Sequence, residues 1–339
     1  MLYPMIFQPR YVDKIWGGQK LRTILNKPID PALKIGESWE LYDFPPGVVE
    51  KGNWTSARLT NGPLAGKTLH ELVQEYGKQL HGDVKLVGDN GQFPILIKFL
   101  DAREDLSVQV HPPQSYADSH PGAHLKNEAW YVFQHDEGSR ILKGLKPGVT
   151  REQFKKSIED GTNEQMINAI PVKDGECYYL PSGTVHALGA GCFVAEVQTP
   201  SDTTYRTFDF DRVDPSTGKL RELHVEQALE CIDFSGKEEQ PPMKKRHEAG
   251  FFATVTRLAE APQFTIEKVR MNEGVEQAIP YEQPVVWILL SGEVELSVSD
   301  VKEPTRVGVG TTVLLPAALR DAKVKVLSDA SWLEVTFPV

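Results

Sequence analysis

One skeleton that occurs twice constrains this chain more than any other feature. Gly175 is followed by five residues, then Pro181-Ser182-Gly183, two residues and His186; the same pattern returns as Gly310, five residues, Pro316-Ala317-Ala318, two residues and Asp321. Upstream, Glu128-Ala129-Trp130-Tyr131-Val132 has a counterpart in Val285-Val286-Trp287-Ile288-Leu289. Aligning the tryptophans puts Val285 where Glu128 stands, and the second skeleton has Asp321 where the first has His186. A degenerate internal repeat of this kind implies two copies of one supersecondary unit, with potential ligands kept only in the first. The tryptophan and proline are closer together in the second copy, and a helical segment from about 147 to 170 accounts for the difference.

Short β-rich runs dominate the remainder. Pro94 to Leu100, Leu106 to His111, Ala129 to Phe133, Cys177 to Leu180, Cys192 to Gln198, Val285 to Leu290 and Thr311 to Leu315 are separated mostly by Gly, Pro and Asp. This density predicts an all-β sandwich or barrel rather than alternating strands and helices. The clearest helical patterns are Leu69 to Gln79, and Thr150 to Asp160, where Thr150 can cap the first turn and Phe154 and Ile158 share a face. The expected organisation is two β-barrels, with helices decorating the first. Residues 1–234 would form an N-terminal catalytic domain, 235–248 a linker, and 249–339 a degenerate C-terminal domain without metal. The Lys244-Lys245-Arg246 cluster beside Pro241-Pro242 reads as part of a solvated linker.

The chain has 339 residues and a formal net charge of -10. Its acidic balance argues against a non-specific nucleic-acid or anionic-membrane partner, so an anionic ligand must be held by local cations. The start, Met1 to Trp16, lacks the apolar segment of a signal peptide, and no run reaches the length of a membrane span. Cys177, Cys192 and Cys231 are odd in number and follow no CxxC spacing. Reduced thiols in a cytoplasmic protein are the expectation.

Strand alternation over Leu106 to His111 puts Ser107, Gln109 and His111 on one face and Leu106, Val108 and Val110 on the other. An exposed strand would show the same pattern, and a single histidine is commonly a core residue. The combination says more. His186 arrives behind a Gly/Pro-defined turn, and Glu128 opens a strand between the two histidines. Imidazole nitrogens and a carboxylate suit Zn²⁺ and similar divalent ions, and Gln109 can add an amide oxygen. His120 and His124, lying between the first ligands and Glu128, read as loop histidines.

The Gly175 to His186 element resembles the second cupin motif, and Gln109-x-His111 followed by Glu128 resembles the first, with Gln in place of its usual first His. The finer resemblance is to type I phosphomannose isomerases in a short bacterial form, over nearly the whole chain. It is carried by Lys14-Ile15-Trp16-Gly17-Gly18, Gly36-Glu37-Ser38-Trp39-Glu40, Leu106 to Pro112, Lys126-Asn127-Glu128, Gly183 to Ala187, and Ser201-Asp202 leading to Arg206. The order and spacing of these pieces together make it specific. Longer members have Lys-Pro-Glu where this chain has Lys126-Asn127-Glu128, and they carry a larger helical insertion.

The resemblance implies two cupin (jelly-roll) barrels, one Zn²⁺ held by Gln109, His111, Glu128 and His186, and interconversion of mannose 6-phosphate and fructose 6-phosphate through a cis-enediol. Ser107, Lys98, Lys126 and Arg206 are the candidates for the substrate phosphate. Lys126, Glu196 and Asp202 are candidate proton-transfer or orienting groups, with Arg206 steering the enediol or phosphate. Glu196 and Gln198 share one strand face, as inward-facing site residues would. Two rivals remain at this point: an Fe(II) cupin oxygenase, and a non-catalytic sugar-binding cupin with a structural metal. A small sugar phosphate is the expected partner, with the oligomeric state open between monomer and homodimer.

Overall fold

The computed structural model describes residues 2–44, 55–214, 217–236, 245–248, 252–279 and 281–339. The short apolar runs form a mostly β structure of antiparallel sheets. In chain order its strands are β1 (Met5–Ile6), β2 (Arg10–Gly18), β3 (Ile35–Leu41), β4 (Leu96–Asp101), β5 (Val108–Val110) and β6 (Glu128–Gln134). Next come β7 (Arg140–Leu145), β8 (Ile167–Pro171), β9 (Cys177–Leu180), β10 (His186–Leu188), β11 (Phe193–Gln198) and β12 (Tyr205–Phe208). The later strands are β13 (Val213–Asp214), β14 (Lys219–Leu220), β15 (Lys245–Glu248), β16 (Ala253–Glu260) and β17 (Thr265–Met271), followed by β18 (Glu276–Ala278), β19 (Val285–Ser297), β20 (Thr305–Gly308), β21 (Thr312–Leu315) and β22 (Lys323–Thr336).

Contacts group the chain into two compact units, one of Met1–Arg10, Glu40–Ile97 and Pro242–Val339, the other of Tyr11–Trp39 and Lys98–Pro241. They differ from the contiguous parts expected from sequence because long-range pairings recruit early segments to the first unit. Within it, β1 pairs with β21, and the backbone amides of Ala317 and Ala318 donate to the carbonyls of Leu80 and Gln79. Of the expected 235–248 linker, residues 237–244 lie outside the described residues, whereas Lys245–Glu248 is a strand paired with β16.

The second unit holds every candidate site residue. Its strands form a five-stranded sheet ordered β12-β5-β10-β7-β8 and a six-stranded sheet ordered β2-β3-β4-β11-β6-β9, whose strands β3 and β4 are divided by the unit boundary. Two buried clusters set these sheets. One gathers Trp16, Trp130, Val132, Ile141, Leu180, Leu188 and Val194; the other gathers Val108, Val110, Leu142, Phe154, Val185, Ala187 and Leu229. Phe154 belongs to the helix Arg151–Glu159, where Thr150 accepts from the Gln153 amide while the Gln153 side chain accepts from the Thr150 amide, a capping box. The other expected helix is interrupted: Leu69–Tyr76 and Lys78–His81 flank Gly77, whose φ of 48° is left-handed.

The first unit repeats this pairing. Trp130 lies opposite Glu196 on β11 and Tyr178 on β9, while Trp287 lies opposite Glu334 on β22 and Val313 on β21. The Gly175 amide donates to the Val132 carbonyl at 2.8 Å, and the Gly310 amide donates to the Leu289 carbonyl at 2.9 Å. The two stretches thus have matching strand neighbours at these positions.

Candidate metal centre

His111, Glu128 and His186 come from well-separated parts of the sequence, and the fold brings them together. Their potential ligand atoms lie within 4.8 Å of one another, and all three residues are buried. Glu128 opens β6, His186 opens β10, and His111 follows β5 directly. The turn before His186 is tied to the same place, because the Gly183 amide donates to the His111 carbonyl at 2.9 Å. Gly183 has a φ of +89°, and a Cβ there would meet the Cys231 carbonyl oxygen at 3.1 Å, so glycine suits the position on two counts.

Backbone carbonyls orient both imidazoles. His111 Nδ1 lies 2.9 Å from the Thr203 carbonyl oxygen and His186 Nδ1 lies 2.8 Å from that of Thr184. A carbonyl only accepts, so each Nδ1 carries a proton and each Nε2 is turned towards the Glu128 side. The Nε2 atoms point at Glu128, at 3.3 Å from Oε2 for His111 and 3.0 Å from Oε1 for His186. These are ion-pair distances without hydrogen-bond geometry: His111 Nε2 and both Glu128 carboxylate oxygens are buried without a hydrogen-bond partner. Burial, then the neighbouring Lys126, pushes His111 down to about 3, which keeps it neutral. Burial opposes the Glu128 charge, but Lys126 and His111 hold its carboxyl well below the usual range. A neutral His111 whose Nε2 is unpartnered and an ionised carboxylate with both oxygens unpartnered, converging beside His186 Nε2, fit a divalent cation.

The amide of Gln109 joins this group, with its Nε2 3.3 Å from His186 Nε2 and its Oε1 accepting from Ser107 Oγ at 3.3 Å. Gln109 lies directly opposite His186 on one side and Arg206 on the other. Lys126 Nζ is 3.0 Å from Glu128 Oε2, and Lys98 Nζ is 3.4 Å from Glu196 Oε2. Glu196 also accepts from Trp130 Nε1 at 2.9 Å. Burial and the Glu128 charge raise the Glu196 carboxyl, with Lys98 and Lys126 opposing. For Lys98 burial works the other way, but Glu196 and Glu37 raise it above the ordinary lysine range.

Asp202 is exposed and acts on Lys98 and Arg206 through its charge. Arg206 is half-buried, and its Nε has no hydrogen-bond partner. His120 is exposed and stacked on Tyr116, and neither it nor His124 joins the ligating group. One expectation needs correction. β5 begins only at Val108, so Leu106 does not share the packing of Val108 and Val110; it joins the cluster of Trp130 instead. The cysteines are free, and burial pushes the thiols of Cys192 and Cys231 up to about 11 and about 12, which removes them as nucleophiles.

The family model for the catalytic domain of phosphomannose isomerase type I matches residues 5–141. Mannose-6-phosphate isomerase of Streptococcus mutans is 35% identical over 322 residues, covering 94% of each chain. Mannose-6-phosphate isomerase ManA of Bacillus subtilis is 34% identical over 328 residues, covering 95% of this chain and 96% of its own. The chain belongs to the type I phosphomannose isomerase family. The crystal structure of the mannose 6-phosphate isomerase from Bacillus subtilis superimposes with a TM-score of 0.86 at 29% identity, covering 99% of this chain and 100% of that one. The apo mannose 6-phosphate isomerase from Salmonella typhimurium shares the fold, with a TM-score of 0.74 at 13% identity.

Two further residues of this phosphomannose isomerase, each inside a stretch that carries the family resemblance, have contacts that no motif spacing indicates. Glu37 is buried, pairs with Lys14 Nζ at 2.9 Å and accepts from Trp39 Nε1 at 2.6 Å. The Lys98 ammonium sits 5.1 Å from the centre of the Trp39 ring. Asn127 links the Lys126–Glu128 segment to the turn before His186, since its Oδ1 accepts from Ser182 N at 2.8 Å and Ser182 Oγ at 2.9 Å. Their place in a motif was the available signal; apart from Trp39, two residues from Glu37, their partners lie far away in sequence.

Proposed function

We propose that this chain interconverts mannose 6-phosphate and fructose 6-phosphate through a cis-enediol, using one Zn²⁺ held by Gln109, His111, Glu128 and His186. The observation that carries the reading is the trio of buried atoms, His111 Nε2 and the two Glu128 oxygens, that converge without hydrogen-bond partners in a chain of this family. When bound, the metal supplies Lewis-acid stabilisation of the negative charge that develops on the sugar oxygens.

The remaining work belongs to the protein's own side chains. Lys98, Lys126 and Arg206 provide cations for the phosphate, and the Ser107 hydroxyl is a donor beside them. Arg206 also steers the enediol. Glu196 is raised by burial and the Glu128 charge, which suits it to hold and pass a proton between C1 and C2. Lys126 orients the Glu128 carboxylate, and Asp202 assists from the exposed edge. The architecture in this reading is a pair of cupin barrels, with the catalytic one in residues 1–234 and a metal-free one in 249–339. The setting is the cytoplasm; no helix among the described residues is long and apolar enough to cross a membrane.

The test is an enzyme-linked assay of mannose 6-phosphate conversion on protein stripped with a chelator and then restored with Zn²⁺, Fe²⁺ or Co²⁺. Activity lost on stripping and recovered with Zn²⁺ is the expected result. No isomerisation with any of the three metals refutes the reading.

A further inference from the structure

The five-stranded sheet places four residues in one lateral row. Arg206 lies opposite Gln109, Gln109 opposite His186, and His186 opposite Lys143. Directly opposed residues share a sheet face, with Cβ atoms ~4.5–5.5 Å apart. Alternation along β7 agrees: Ile141 packs in the cluster of Trp130 and Leu188, Leu142 in that of Phe154 and Val185, and Lys143 returns to the Ile141 face. The candidate metal wall of Gln109 and His186 is therefore flanked by a cation at each end.

A second observation concerns the strand itself. The pairing of β7 with β8 shifts register between Leu142 and Leu145. Asn168 Nδ2 donates to the carbonyls of Lys143, Gly144 and Leu145 at 3.4, 3.2 and 3.0 Å, and the Gly144 amide donates to the Val185 carbonyl at 2.8 Å. Gly144 has a φ of +68°, which an L side chain rarely adopts. A bulge bends its strand and re-aims the neighbouring side chain. Here it is secured immediately after Lys143, which is half-buried rather than exposed.

We propose that Lys143 is a further substrate-binding residue, contacting the phosphate of the sugar phosphate from the His186 side while Arg206 approaches from the other. This rests on the isomerase reading above. Arg206 and Lys143 are three strand spacings apart, ~14 Å, and two long cationic side chains reaching inwards close that gap around a phosphate dianion. Neither composition nor a linear motif marks Lys143, because its relation to the site exists only through strand register.

The experiment compares wild type, Lys143→Met and Lys143→Arg as metal-loaded full-length proteins. Expected for Lys143→Met is a KM for mannose 6-phosphate raised about tenfold or more, with kcat within about twofold. Competitive inhibition by inorganic phosphate should weaken by a similar factor, metal content should stay at the wild-type level, and Lys143→Arg should restore most of the KM. An unchanged KM and phosphate inhibition would overturn the proposal. So would a fall in kcat at constant KM, or loss of metal, which would mean that Lys143 acts on the chemistry or supports His186. Should Lys143→Met not fold, Lys143→Gln is read by the same criteria. Wild type inactive with every metal overturns the isomerase reading itself; active wild type with an indifferent Lys143→Met overturns only this inference.

Discussion

Replacing Glu37 by glutamine removes the carboxylate on which Lys14 and Lys98 both act, while keeping its shape. In the native protein burial opposes ionisation of Glu37, yet Lys14 and Lys98, with the Trp39 and Lys14 hydrogen bonds, bring it from its ordinary 4.5 down to about 2. Each unit corresponds to about 1.4 kcal/mol, so the ionised carboxylate contributes on the order of 3 kcal/mol at neutral pH. The sign follows from the direction. A carboxyl depressed in the folded state contributes fully above its unfolded value, and that contribution fades as pH falls towards the folded value. By pH 3.5 about one unit, roughly 1.4 kcal/mol or near half of the effect, is gone.

Urea unfolding of wild type and Glu37→Gln at several pH values checks this. With a urea slope of about 3 kcal/mol per M, the variant's midpoint should be about 1 M lower at pH 7 and about half as far below at pH 3.5. Protonation of groups remote from Glu37 acts on both proteins equally and cancels in the difference. A gap that stays constant from pH 7 to 3.5, or widens on acidification, refutes the argument, because it would assign the Glu37 contribution to packing rather than charge.

Two further outcomes follow from the site and its surroundings. His186→Ala should lose tightly bound metal, whereas Asp321→Ala, at an exposed carboxylate that accepts from the Ser299 amide at 3.1 Å, should keep it. Metal analysis after dialysis decides, and a full complement retained by His186→Ala would reject the assignment. Thr150→Ala breaks the capping box of the Arg151–Glu159 helix and should lower stability by about 1 kcal/mol in chemical denaturation, with metal content unaffected.

Much of the fold was legible because local chemistry dictates it. Cys177–Leu180 is a strand over the expected residues, and Thr150 caps the expected helix. The expected Leu106 to His111 strand contracts to Val108–Val110, because Leu106 packs in the cluster of Trp130 rather than with Val108 and Val110. Likewise the Leu69 to Gln79 helix breaks at Gly77, whose left-handed backbone outweighs the apolar spacing around it. At the site, residue type and motif spacing pointed to His111, Glu128 and His186, whose potential ligand atoms the fold gathers, with the Gln109 amide beside His186. The contacts of Glu37 and Asn127, and the place of Lys143 opposite His186, were not readable from sequence. Their relations pass through strand register and loop contacts between segments remote in sequence, which no local pattern encodes.

Matching strand positions in the two units carry buried carboxylates that are satisfied in different ways. In the first unit Trp332 Nε1 donates to Glu334 at 3.0 Å, and the Tyr281 hydroxyl also bonds this carboxylate, which burial raises above its ordinary range. Glu334 is thus a buried acid satisfied by neutral donors, and Val285, buried where the other copy has Glu128, adds no further charge. Glu196, the register equivalent of Glu334, is likewise raised and accepts from a tryptophan, Trp130. Glu128 differs from both, being held well below the ordinary range with neither oxygen in a hydrogen bond. Leaving an ionised group so is costly unless a counter-charge completes it, and Lys126 contacts only one oxygen. The repeat thus supplies an internal control. Beside Val285 the buried carboxylate of Glu334 has neutral donors, whereas the Glu128 carboxylate lies open towards the Nε2 atoms of His111 and His186.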